Sequence, residues 1–95
     1  MSAYWICVYK AVHDPGKVAA YAELAGPALR GAGGRFLARG LPEATFEKGE
    51  TTRTVVIEFE SVEAAVAAHD SEGYQAALVA LGDGAERDLR VVPGA

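Results

Sequence analysis

The chain has 95 residues, 51% of them hydrophobic and 23% charged, and a formal net charge of −4. That length fits one domain spanning residues 1–95, and the apolar share argues against disorder. The acidic balance and the scattering of its Lys and Arg residues exclude the basic stripe of a nucleic-acid binder, so no nucleic acid is expected as a partner.

One cysteine, Cys7, leaves no internal disulfide to form. No apolar run is long enough to cross a bilayer, and the opening MSAYWICVYK does not read as a signal peptide. No membrane partner is expected, and the cytoplasm is the expected location. A domain this small buries only about two-thirds of its unfolded surface, so a partner subunit would add stability.

Ala3–Val12 (AYWICVYKAV) is rich in β-branched and aromatic residues and reads as a strand. Trp5, Cys7 and Tyr9 point one way and Tyr4, Ile6 and Val8 the other, so both faces need cover. Asp14 then serves as an N-cap and Pro15 as a first helical residue. Val18, Tyr21, Ala22, Ala25, Ala28, Leu29 and Ala32 form one helical stripe. Pro27, inside it, is expected to kink the helix or end its regular part. Gly33 or Gly34 supplies a left-handed C-cap.

RFLARG is a short second strand. LPEATFEKGETTRTVVIEF continues as a hairpin, with its tight turn at Gly49 and with Pro42 marking a bulge or an edge. Thr52–Phe59 is a third strand, with Val55, Ile57 and Phe59 on its apolar face. Ser61 caps a second helix with Glu63 in its first turn, buried through Val62, Ala65 and Val66. Ser71 caps a further helical piece, EGYQAALVAL, buried through Tyr74, Ala77, Leu78 and Leu81. GDGAERD is a loop, and Leu89–Pro93 is a last short strand.

The order βαββαβ with right-handed crossovers gives an α+β, ferredoxin-like antiparallel sheet with its helices on one face. Tyr4, Ile6, Val8 and Val56 remain on the other face. Leaving apolar area in water costs about 25 cal/mol per Å2, and a second copy of the chain is the simplest cover. A homodimer through the sheet faces is therefore expected.

The segments GGRFLARG, VIEF and DSEGYQAA, within a pattern covering nearly the whole chain, resemble an uncharacterised bacterial family. It is the domain of unknown function numbered thirteen-thirty, in the dimeric α+β barrel superfamily. The chain departs from the family's usual look at His69 and Gly73. The resemblance implies the same fold and a barrel-like dimer, and no assigned reaction. The wider superfamily includes cofactor-free monooxygenases, haem-degrading enzymes and lactone isomerases, and fold alone transfers none of these activities.

The stretch GAGGRFLARG (Gly31–Gly40) invites a phosphate-binding reading. Its glycines lack the G-x-G-x-x-G spacing, follow a helix and precede a strand, so they end one element and open the next. Arg35 and Arg39 are expected on one face of the second strand, near Arg53. Arg35 is expected to pair with Glu58, and Arg39 to reach a small ligand.

His69 and Asp70 are the candidate acid/base pair, although adjacent helical residues do not face each other and Asp70 could instead cap the next helix. Tyr9, Tyr21 and Tyr74, with Trp5, are either plain core or the lining of a ligand cavity. Cys7 is expected to be a buried, inert thiol. Two His and one Cys with no paired spacing argue against a metal site, and no cofactor is expected.

Three functions remain open. One is a small dimeric protein that binds an organic molecule between sheet and helices. The second is a cofactor-independent monooxygenase or isomerase acting on a quinone-like or lactone substrate. The third is a structural or regulatory dimer with a filled core.

Overall fold

A computed structural model describes residues 1–95. Alternation of large apolar residues makes β1 (Ala3–Val12) a strand with Trp5, Cys7 and Tyr9 buried on one face and Tyr4, Ile6 and Val8 half-buried on the other. Asp14 ends it and starts α1 (Pro15–Gly31): its carboxylate accepts from the backbone N–H groups of Gly16 at 3.0 Å and Lys17 at 3.2 Å. Pro15, whose missing N–H would have had no helical partner anyway, follows directly.

Pro27 does not end α1, which stays helical to Gly31. A proline here removes one backbone bond, but Ala25 and Leu29 on either side of it are buried against the sheet and hold the last turns in place. The helix then closes on glycines. Gly33 adopts φ +95°, and its N–H bonds the Arg30 carbonyl while the Gly34 N–H bonds that of Leu29. This paired reverse bonding satisfies carbonyls that the helix leaves open.

β2 (Arg35–Gly40) and β3 (Thr54–Phe59) follow. They pair antiparallel, but residues 41–53 between them form a loop instead of extending the two strands, and β3 begins at Thr54, not Thr52. The turn at Gly49 exists within that loop, where its N–H bonds the Phe46 carbonyl. Pro42 lies in the loop too; the bulge on this strand pair falls between Phe36 and Ala38.

The second crossover contains two helices, α2 (Val62–Asp70) and α3 (Glu72–Leu81), each opened by a serine. Ser61 Oγ accepts from Ala64 N–H at 3.0 Å and Ser71 Oγ from Tyr74 N–H at 3.3 Å. α2 buries Ala65 and Ala68; Val66, expected inside, is exposed. The small alanines let this short helix lie close to the sheet.

β4 (Ala85–Pro93) is four residues longer at its start than the expected Leu89–Pro93, and it pairs with β1 along its length. The sheet order is β2-β3-β1-β4, all antiparallel, the ferredoxin-like arrangement. One hydrophobic core joins the inner face of the strands, through residues such as Trp5, Ile57 and Phe59, to Leu29 of α1, Ala65 of α2 and Tyr74 of α3. All three helices thus cover one face.

The outer face carries Tyr4, Ile6, Val8, Thr54 and Val56, and both of its strand arginines have an acidic partner. Arg90 grips Asp88 through two 2.9 Å bonds, and Arg35 lies 3.8 Å from Glu58.

The two glycines at the end of α1 differ in what they tolerate. A Cβ at Gly34 would lie 2.8 Å from the Leu29 carbonyl oxygen and 2.9 Å from the Phe59 ring, whereas at Gly31 nothing lies within 4 Å. Gly34→Ala is expected to destabilise the fold by about 1–3 kcal/mol. Gly31→Ala should be neutral or stabilising by up to about 1 kcal/mol, since alanine is the better helix former. Urea unfolding of the two variants checks the contrast.

Candidate functional site

The middle of α1 presents small side chains to the sheet. Ala22, Ala25 and Gly26 face a floor formed by Trp5, Val55 and Ile57, and the missing side-chain volume leaves a cavity of about 310 Å3. That is the lower end of small-molecule sites. Tyr9 and Tyr21 line it, as does Cys7. The aromatic side chains therefore form walls and do not fill the space.

Three arginines, Arg39, Arg53 and Arg87, line the same cavity, and no Asp or Glu does. Each reaches it for a different local reason. Arg53 precedes β3, and its carbonyl accepts from Tyr9 N–H at 2.9 Å, which fixes it beside the end of the β1–β3 ladder. Arg39 depends on the bulge. Arg35 pairs across from Glu58 and Phe36 from Ile57, but Ala38 then pairs with Val56 and Arg39 with Val55. The extra residue, Leu37, inverts the alternation.

Arg35 and Arg39 therefore lie on opposite faces, which corrects the expectation that they share one. Arg35 meets Glu58 outside, as its sequence position suggested. Arg39 turns inward, its guanidinium 5.3 Å from the centre of the Phe36 ring, which Arg30 also approaches at 4.9 Å.

Arg87 comes from the part of β4 that resembled a loop. Across from Tyr9, it projects between sheet and helices. Its Nη1 donates to Tyr21 Oη at 2.9 Å and approaches Cys7 Sγ at 3.8 Å; its Nη2 donates to Tyr74 Oη at 3.3 Å. It also lies over the Tyr21 ring at 4.7 Å. Burial disfavours its charge, and the oxygens of Tyr21 and Tyr74 more than offset that, so the guanidinium is held firmly cationic. It forms no salt bridge: the ion pairs of the chain lie elsewhere.

A signal for Arg87 was present in AERDLRVV. Ala85, Arg87, Leu89 and Val91 alternate with Glu86, Asp88, Arg90 and Val92. The first set is apolar except for Arg87, which marks one charge on an inner strand face.

Tyr74 is fully buried and stands behind the cavity, its hydroxyl 2.8 Å from that of Tyr21. Burial pushes the Tyr21 phenol well above its usual range, reinforced by Tyr74; burial likewise raises Tyr9 and the Cys7 thiol, against the opposing pull of Arg87. Cys7 is thus a protonated thiol at neutral pH, despite its cationic neighbour.

His69 and Asp70 do not line the cavity. They do meet, contrary to the helical-spacing argument: His69 Nδ1 is 2.9 Å from an Asp70 carboxylate oxygen, because α2 ends there and the side chains are free to swing together. The His69 ring packs 5.3 Å from that of Tyr74. Ser71, not Asp70, caps α3.

Because Tyr9 and Tyr21 are raised above pKa 10.0 only in the folded chain, unfolded tyrosines ionise first as pH rises. The stability they contribute is present below pH 10 and lost above it. An alkaline titration should show tyrosinate absorbance at these residues appearing together with loss of the near-ultraviolet circular dichroism, above pH 10. Ionisation of Tyr9 and Tyr21 with the fold intact would contradict this.

Similar folds are known. A protein of unknown function from Rhodopseudomonas palustris superposes with a TM-score of 0.76 at 16% identity, covering 99% of this chain and 82% of that one. A cofactor-independent oxygenase from Streptomyces nogalater gives 0.67 at 14% identity, covering 99% and 93%. A dimeric protein of unknown function with a ferredoxin-like fold from Bacteroides fragilis gives 0.62 at 18%, covering 98% and 96%. These likenesses show the fold. No curated protein matches the sequence. A family model described as "Domain of unknown function (DUF1330)" matches residues 2–95.

Proposed function

We propose that this chain, which belongs to the family of domain of unknown function DUF1330, binds a small organic molecule in the cavity between α1 and the sheet. The observation that carries this is the cavity itself: about 310 Å3 kept open by Ala22, Ala25 and Gly26, with unpaired arginines at its wall. A core that served only stability would close over such a space, because packing density in protein interiors leaves few voids larger than a water molecule.

Binding is favoured over turnover. The fold is shared with a cofactor-independent oxygenase, but here His69 and Asp70 stand off the cavity, and Tyr21, Tyr9 and Cys7 are all pushed toward their protonated forms. The lining thus offers donors and a fixed cation and lacks a ready base. Calorimetric titration with the probes 1-naphthoate and 1-naphthamide should give saturable binding of at least one of them. Ala22→Phe, which fills the cavity from a helix position exposed on its outer side, should weaken that binding at least tenfold with the fold retained. Absence of saturable binding by either probe would remove the proposal.

The outer sheet face is read as the contact surface of a homodimer, with location in the cytoplasm of a bacterium. Support comes from the half-buried Tyr4, Ile6, Val8 and Val56 on that face, and from the dimeric Bacteroides fragilis protein of the same fold. No helix is long and apolar enough to cross a membrane. Light scattering at micromolar concentration should report twice the chain mass, and Ile6→Asp should halve it. A wild-type monomer would refute the dimer.

A further inference from the structure

We propose that the ligand of this cavity is a small cyclic monocarboxylate, its ring on the apolar floor and its carboxylate held by Arg87 and Tyr21; this rests on the binding function proposed above. The cavity gathers Arg39, Arg53 and Arg87 and excludes every carboxylate of a chain whose net charge is −4. Outside it, Arg90 is matched to Asp88, Arg35 to Glu58 and Lys17 to Asp83, while Lys10, Arg30 and Lys48 stand exposed to water. A half-buried guanidinium without an anion, in a protein with carboxylates to spare, is complementary to an anion that arrives from outside.

The hydrogen bonds around Arg87 specify where that anion sits. Tyr74 Oη accepts from Arg87, and the one acceptor within reach of its own hydrogen is Tyr21 Oη, 2.8 Å away. Either hydroxyl can donate in that pair, and donation from Tyr74 is the arrangement that leaves its fully buried hydrogen paired. Tyr21 Oη then accepts from both Tyr74 and Arg87, and its own hydrogen has no acceptor in the chain. Tyr21 lines the cavity, so that hydrogen is available to a ligand oxygen. Arg87 likewise spends Nη1 and Nη2 hydrogens on the tyrosines and bonds nothing through Nε. The Tyr21 hydroxyl and the remaining guanidinium hydrogens of Arg87, on two residues that line the cavity and touch at 2.9 Å, are the donors for the two oxygens of one carboxylate.

The rest of the wall selects the remainder of the molecule. Val55, Ile57 and Leu29 offer no donors to further oxygens and Trp5 only its single indole N–H, so a phosphate would leave charge against apolar surface. A volume of about 310 Å3 suits one or two fused rings. Arg39 and Arg53, both exposed, stand at the opening, where their field draws anions in without fixing one.

The test is calorimetric, at pH 7, with 1-naphthoate against the neutral, near-isosteric 1-naphthamide. Wild-type protein should bind the acid at least tenfold more tightly than the amide. Arg87→Met should bring the two within twofold of each other, with circular dichroism reporting the fold; should that variant not fold, the wild-type ratio decides alone. Arg39→Gln combined with Arg53→Gln should change the ratio less than threefold. Equal binding of acid and amide by the wild type would overturn the carboxylate inference and leave the cavity as a binding site. Loss of the preference in the double variant would overturn the assignment to Arg87. Binding of neither probe would remove both the inference and the function it rests on.

Discussion

The hydrogen-bonded node of Arg87, Tyr21 and Tyr74 joins three elements that are far apart in the chain: β4, α1 and α3. A guanidinium withdrawn from water demands oxygens, and here both come from neutral hydroxyls. Its geometry is thereby satisfied while its charge is not cancelled. The aromatic rings extend the node, with Tyr74 meeting Trp5 edge-on at 5.1 Å and Tyr21 at 5.9 Å. These rigid contacts space α1 from the sheet, and where the helix then presents only alanine and glycine, room remains. The cavity and its polarity have one origin.

The sheet divides its labour by face. Strand alternation places Trp5, Cys7 and Tyr9 toward the helices and Tyr4, Ile6 and Val8 away. Inward, cations lack partners; outward, each strand arginine has an acid beside it. The same two-residue period that makes the fold stable thus separates the cavity-lining face from the outward apolar face, without any domain boundary between them.

Local signals in the sequence were sufficient for most of the fold. β1, the Asp14–Pro15 helix start, the glycine closure of α1 and the serine caps of α2 and α3 each follow from residues within a few positions of one another, and each stands where those residues indicate. The site was less legible because its arginines depend on pairing at a distance. Arg87 reads as part of a loop until β1 is laid beside it, since Gly82, Asp83 and Gly84 mask the onset of β4. Arg39 reads as facing Arg35's way until the register against β3 is known. Pro27 shows the limit of a local breaker: it does not end the helix, whose residues on either side of it are buried.

The bulge at Leu37 makes chain length, not residue identity, the variable that sets the charge at the mouth of the cavity. It sits on an edge strand with solvent beside it, just beyond Phe36, which pairs with Ile57 and packs against the core. Every residue beyond such a change would trade sides, taking Arg39 from the mouth and bringing neutral Ala38 or Gly40 to it. The positive charge at the mouth of the cavity can therefore change by single-residue insertion and deletion along β2 while Arg87 and Tyr21 stay untouched.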